Sequence, residues 1–243
     1  KVLAPLRSKP MIFWIIEAIN KAGIDQIIVV IGHRAREVKK AIVEAGYHVK
    51  FAHQEQQIGT GNAVQIAMDE RSSSDRLRSP SATMNNISDD TKTVLITYGD
   101  KPLISSSTFS DLVHKQQSTG AVAVISTVEC LNPSEMGFGR IKRDNTGNIS
   151  HMVEQKECSP RDLLITECNG GPVAHDAQWL KDALKRSKKG SSGEIYLTDL
   201  VRLAYKEGKK IETVPMSGIA EAHGINTLEH LQEAEKIIAK IID

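Results

Sequence analysis

Two unbroken apolar runs, "QIIVVIG" at 26–32 and "TVLIT" at 93–97, constrain this chain more than any other feature. Neither alternates polar with apolar residues, as a strand with one wet face would. A run that is apolar throughout and rich in Val and Ile fits a strand covered on both faces, as in a parallel sheet flanked by helices. The intervening sequence supplies such helices. Positions 10–22 place Met11, Ile12, Ile15, Ile16 and Ile19 at helical spacing, with Pro10 suited to the first turn and Gly23 to the stop.

The same reading predicts helices over 34–45, 62–68 and 105–118, and strands over 49–52 and 121–128. Ser105 or Ser106 suits the N-cap of the helix that follows it. Strand and helix alternate through this half, which implies right-handed crossovers. From Arg140 the texture changes: short alternating pieces at 140–143 and 148–153 around "DNTGN" read as a hairpin. Beyond it come a strand at 170–174, helices at 176–184 and 197–207, a strand at 211–215 and a closing helix at 227–242. The expected class is therefore α/β: a Rossmann-like mixed, mainly parallel sheet flanked by helices, with a small hairpin lobe. No repeat or linker divides the sequence, so one domain over 1–243 is expected, with the aperiodic polar stretch at 71–91 a mobile surface loop.

Composition narrows the function classes. Thirty-one basic against 30 acidic residues leave a charge of +1, so no overall field favours nucleic acid or a membrane, and an anionic ligand needs local groups. The three cysteines, an odd number without Cys-x-x-Cys spacing, argue against a disulfide framework and fit a reducing cytoplasm. No apolar run approaches the roughly 20 residues that span a bilayer, and the first residues do not form a signal peptide. The sequence opens on Lys1 with no strand before the first helix, so an upstream piece is expected.

In a parallel α/β sheet, ligands bind beyond the carboxyl ends of the strands. "YGDKPL" follows the strand at 93–97 and delivers Asp100 there. A carboxylate so placed suits Mg²⁺; it equally suits capping of the next turn. "QEQQIGTGNA" at 54–63 sets amides and two glycines before a helix. Such a loop can approach a ligand closely and pair with a base edge, or be a plain loop with an N-cap threonine. "GFGRI" at 137–141 fits close backbone approach or a hairpin bulge. "VEQK" at 153–156 fits a solvated edge or a carboxylate that orients a sugar hydroxyl, and Asn226 in "HGINT" fits a helix N-cap. No zinc-type His spacing, no Gly-x-Ser-x-Gly elbow and no Gly-x-Gly-x-x-Gly fingerprint after the first strand is present, which disfavours a zinc enzyme, a serine hydrolase and a dinucleotide dehydrogenase.

Taken in order, "KVLAPLRSKPM", "QIGTGNA", "YGDKPLI", "GFGRI", "VEQK", "CNGG", "GEIYLTD" and "GIN" resemble the pyrophosphorylase domain of bacterial N-acetylglucosamine-1-phosphate uridylyltransferases, within the sugar nucleotidyltransferase superfamily, along essentially the whole chain. The resemblance implies that a sugar 1-phosphate oxygen attacks the α-phosphorus of UTP, with Mg²⁺ as cofactor and UTP and a hexosamine 1-phosphate as partners. It implies Asp100 and Asn226 as metal ligands, Lys1 and Asp100 as catalytic groups, and Gln54, Gly59 and Thr60 as nucleotide contacts. Tyr98, Gly139, Glu154, Asn169 and Tyr196 would contact the sugar. Glucose 1-phosphate, another nucleotide, or a binding module without catalysis are the alternatives. The resemblance leaves the oligomeric state open, a monomer included. Three departures stand out: the family's glycine-rich phosphate loop would precede Lys1, its Asn-Thr-Gly is Asn169-Gly170-Gly171 here, and the Gly of its Gly-Lys-Pro is Ser8. Nothing resembles the left-handed β-helix acetyltransferase of bifunctional members.

Overall fold

The computed structural model describes residues 1–56, 58–68, 87–88, 90–132, 137–187 and 196–242. Most of the 71–91 stretch, Gln57, and Gly193, Glu194 and Ile195 of "GEIYLTD" lie outside them. The expectation of no strand before the first helix is corrected: β1 (Pro5–Leu6) pairs antiparallel with β2 (Lys9–Pro10). Arg7, at φ 55, turns the chain between them, a reversal too short to leave a periodic signal.

Helix α1 (Met11–Lys21) follows at once and buries Met11, Ile12, Phe13, Ile15, Ile16 and Ile19. Pro10 offers no side-chain cap. Instead the carbonyls of Ala4 and Val2 accept from the Met11 and Ile12 amides, each at 3.1 Å. Helix initiation thereby fixes the path of residues 1–4, because orphan first-turn amides need acceptors.

Strand β3 (Ile28–Ile31), helix α2 (Ala35–Glu44) and strand β4 (Lys50–His53) form a parallel crossover unit, in register from Ile28–Lys50 to Ile31–His53. Ile31 packs with Ile12, Phe13 and Ile16 of α1 and with Val38 and Ile42 of α2, which explains why "QIIVVIG" is apolar throughout. Helix α3 (Thr60–Met68) and strand β5 (Thr93–Ile96) come next, then α4 (Ser106–Thr119) and β6 (Ala123–Glu129). Strands β7 (Arg140–Arg143) and β8 (Ile149–Val153) form the expected hairpin, its turn held by Asp144 Oδ1, which accepts from the Thr146 and Asn148 amides. After two 3-10 turns, Gln155–Glu157 and Asp162–Leu164, the chain runs through β9 (Glu167–Asp176), α5 (Ala177–Arg186), α6 (Thr198–Lys206), β10 (Ile211–Pro215), α7 (Ile219–Ala222) and α8 (Leu228–Ile242).

The class is the mixed α/β fold expected, with helices flanking the sheet. Its strand sense is not mainly parallel, however. In the larger sheet, ordered β10-β6-β9-β7-β8 with β5 also on β9, only β10 and β6 run parallel. Strand β9 lies antiparallel to β5, β6 and β7. It runs ten residues rather than the expected five, and its neighbours come from distant parts of the chain, which local periodicity does not encode. Along β6, Val124 packs with Leu112 of α4 while Ile125 packs with Val201 of α6, so both faces of this strand are covered.

Where β9 passes Ser126 its ladder breaks: Ile125 pairs with Val173 and Thr127 with Asn169. Gly170, Gly171 and Pro172 bulge between these pairs, and Ser126 Oγ donates to the Pro172 carbonyl at 2.7 Å. Further along β9, His175 is buried beside Trp179, with Nδ1 3.2 Å from the Val122 carbonyl. Burial pushes its pKa down to about 4 from 6.5. Since the unfolded chain binds this proton more readily, stability rises with pH through that window. It is fully present above about 6.5 and lost as pH falls towards 4, on the order of 3 kcal/mol by the lower end. His175→Phe is expected to flatten that part of the wild-type loss, read as the difference in melting temperature between pH 7 and pH 5; equal slopes for the two proteins would show that His175 does not carry it.

Candidate active site

The turn after β5 and the loop after α7 meet at the N-terminal segment. The Asp100 carbonyl accepts from the Ile225 amide at 2.8 Å, which sets Asn226 beside Asp100. Lys1 Nζ lies 2.6 Å from Asp100 Oδ2 and 2.6 Å from Asn226 Oδ1. Two hard oxygens from distant segments thus converge on one cation position. Competing roles for both residues go to neighbours. Ser105 Oγ caps α4 by accepting from the Thr108 amide, and Thr227 Oγ1 accepts from the His230 amide at the start of α8. Asp100 and Asn226 are therefore free of the capping duties that their sequence positions also allowed.

A second group forms at the start of α3. Gln54 Nε2 donates to Asn62 Oδ1 at 3.0 Å and to the Gly59 carbonyl at 3.3 Å, which leaves Oε1 as an acceptor of fixed orientation. Gly59 adopts φ 100, a backbone state that L side chains rarely reach. Thr60 Oγ1 accepts from the Leu197 amide at 3.3 Å, tying this loop to the segment before α6. Among the described residues no hydrogen bond or ion pair joins the Gln54 group to the Lys1, Asp100 and Asn226 group.

The third group borders a small, partly open cleft lined by Tyr98, Asn169, Gly171, Leu197 and Thr198 and, deeper in, by Met152 and Val173. Asn169 donates its amide to the Gly139 carbonyl at 2.8 Å, and Asn169 Oδ1 accepts from the Gly171 amide at 3.0 Å. A side chain at Gly139 would begin 3.3 Å from the Val153 carbonyl, 3.8 Å from Asn169 Cβ and 3.9 Å from Glu154 Oε2, so Gly139, Glu154 and Asn169 share one wall. Burial raises the Glu154 pKa, against the pull of Lys156, Lys101 and a Thr198 hydrogen bond. Tyr98 is pushed up to about 12 by burial and by the Glu154 and Asp100 carboxylates, so its hydroxyl stays protonated at neutral pH. Tyr196 takes the Lys156 ammonium over its ring at 5.4 Å.

Three contributors were not foreseen. Asn62 anchors Gln54, and an amide in the first turn of a helix gives no cue to that role. The Arg140 guanidinium is fully buried and donates to the Phe138 carbonyl and to Gln155 Oε1 (3.1 Å), fastening the glycine turn to the segment after Glu154. The third is Lys101, whose Nζ donates to the Gly170 carbonyl at 2.8 Å, with its pKa lowered to about 8 by burial.

A mixed α/β sheet flanked by helices, two side-chain oxygens converging on one lysine, an amide-lined glycine loop and a small cleft beside Asn169 fit a nucleotidyltransferase-type protein. The fold agrees with solved structures: that of UDP-glucose pyrophosphorylase complexed with UDP-glucose matches with a TM-score of 0.72 at 17% identity, over 99% of this chain and 90% of that one. The apo form of UDP-glucose pyrophosphorylase matches with a TM-score of 0.72 at 16% identity, over 100% and 91%. Residues 1–140 match the family described as MobA-like NTP transferase domain, and the chain belongs to that family. Among curated relatives, the bifunctional protein GlmU of Acetivibrio thermocellus is 34% identical over 98% of this chain and 47% of its own length. That of Thermoanaerobacter pseudethanolicus is 36% identical over 100% and 48%, and that of Paraburkholderia xenovorans 37% over 98% and 48%. The chain spans about half the length of these relatives.

Proposed function

We propose that the protein is a sugar-1-phosphate uridylyltransferase that forms UDP-N-acetylglucosamine and pyrophosphate from UTP and N-acetylglucosamine 1-phosphate. The observation that carries this reading is the convergence of Asp100 Oδ2 and Asn226 Oδ1 on the Lys1 ammonium, each at 2.6 Å. A carboxylate and an amide carbonyl are hard oxygen donors and suit Mg²⁺, which takes its remaining ligands from water and phosphate. When bound, that ion neutralises charge on the nucleotide phosphates. Among the described residues no group of three or more His, Cys, Asp or Glu could hold a metal ion.

The chain's own residues then act by placement. Gln54 Oε1 accepts from the uracil N3–H, which cytosine lacks, while the Gly59 backbone closes on the base. Glu154 and Asn169 bond sugar hydroxyls, with Tyr98, Gly139 and Tyr196 shaping the rest of the sugar site. Lys1, drawn off Asp100, contacts phosphate. An oxygen of the sugar phosphate forms a bond to the α-phosphorus as the bond from that phosphorus to the β-bridging oxygen breaks, and pyrophosphate leaves with the electron pair. The attacking oxygen is already anionic, so positioning and charge neutralisation carry the rate. The site would work in the cytoplasm, in keeping with the free thiols of Cys130, Cys158 and Cys168. Among the described residues no helix is long and apolar enough to cross a membrane.

Glucose 1-phosphate is the alternative sugar, because glycine stands at 170 where the related pattern has threonine. Both readings meet one test. The purified full-length protein with UTP, Mg²⁺ and N-acetylglucosamine 1-phosphate is expected to release pyrophosphate, and to do so faster than with CTP or with glucose 1-phosphate. Release from none of these combinations would overturn the enzymatic reading, and faster release with glucose 1-phosphate would move the specificity.

A further inference from the structure

Lys101 sits between the two halves of the site, and none of the roles above uses it. Its stem runs past Gly224, two residues before Asn226, with Cγ 4.0 Å from where a side chain there would begin. Its ammonium bonds the Gly170 carbonyl at 2.8 Å and lies 5.9 Å from the Tyr98 ring centre and 5.7 Å from that of Phe138. Gly171, at φ 121, makes room for it: a Cβ on that residue would fall 2.8 Å from Nζ and 3.1 Å from Cδ. The bulge in β9 therefore forms a cradle for this one side chain.

An ammonium has three donors, and Lys101 uses one of them on a carbonyl. Among the described residues it makes no ion pair, although Asp100 and Glu154 both act on its charge. A partly buried cation with open donors is costly unless an anion meets it. Its stem lies against Gly224 near Asn226 and its ammonium against Gly170 and Gly171, the latter lining the cleft, so this one side chain links the Asp100–Asn226 segment to the Asn169–Gly171 wall. Lysine serves as a point-charge binder of phosphate.

We infer that Lys101 receives the phosphate of the sugar 1-phosphate, selecting phosphorylated over free sugar and holding the attacking oxygen in line. This rests on the uridylyltransferase reading. The test compares wild type, Lys101→Met and Lys101→Gln in the full-length protein. Both variants are expected to raise the KM for N-acetylglucosamine 1-phosphate about tenfold to a hundredfold, the range for a hydrogen bond to a charged group. The KM for UTP should stay within about twofold, as the Gln54 loop lies elsewhere. Calorimetry without UTP reads binding directly: the preference for N-acetylglucosamine 1-phosphate over N-acetylglucosamine should collapse in both variants. Glutamine keeps a donor for the Gly170 carbonyl but no charge, so a wild-type phosphate preference in Lys101→Gln would overturn the inference. So would a rise in both KM values together, which marks a purely structural role. If wild type turns over no sugar phosphate the functional reading fails, and the calorimetric arm still decides whether Lys101 reads phosphate.

Discussion

Asp100→Ala is expected to lower pyrophosphate release at least about a thousandfold. The variant removes the carboxylate from the only pair of oxygens that meets at Lys1 among the described residues, and charge neutralisation by a metal is worth several kcal/mol at about 1.4 kcal/mol per tenfold in rate. The fold should tolerate the change. Asp100 pairs with a Lys1 side chain that is 45% exposed, and such pairs contribute about 0–1 kcal/mol to stability. The melting temperature should therefore move by only a few degrees. Mn²⁺ binding followed by electron paramagnetic resonance separates the causes: weakened Mn²⁺ binding with an intact melt supports a ligand role. An unchanged rate would place the metal elsewhere.

Gly170→Ala carries the second large expectation, on stability. A methyl group at this position would start 2.3 Å from Met216 Sδ, 2.9 Å from Ser126 Oγ and 3.2 Å from the Ser126 carbonyl. Met216 can swing away, but the Ser126 backbone belongs to the ladder of β6 and cannot move freely. Overpacking of this kind costs about 1–3 kcal/mol, roughly 2–12 °C in melting temperature for a chain of this size. The carbonyl that holds Lys101 moves with it, so the KM for the sugar phosphate should rise alongside. A melt identical to wild type would mean that β9 yields at its bulge more easily than its contacts suggest.

Local pattern carried the individual elements well and their assembly less well. Helical spacing from Met11 to Ile19 and the short run at Ile211–Pro215 were legible because burial imposes a period on neighbouring residues. The sense and length of β9 were not, since Thr93 pairs with Asp176 and Arg140 with Cys168 across long stretches of chain. At the site, the convergence of Asp100 and Asn226 was implied by motif order and not by spacing. Asn226 fits a helix N-cap equally well by sequence, and only the hydrogen bond from the His230 amide gives that duty to Thr227 instead. Lys101 carried no cue, because its meaning lies in a carbonyl and a missing side chain on a distant strand.

The central antiparallel strand also has a kinetic consequence. Strand β9 closes its ladder on β5 only after everything between Thr93 and Asp176 has been threaded, and loop-closure entropy must be met before such pairing gains anything. Asn169, Gly170 and Gly171 ride on that strand, so the wall proposed for the sugar and the Lys101 cradle form only as β9 pairs with its neighbours. During synthesis, a nascent chain that ends before Asn169 holds the Gln54 loop and none of the residues that cradle Lys101.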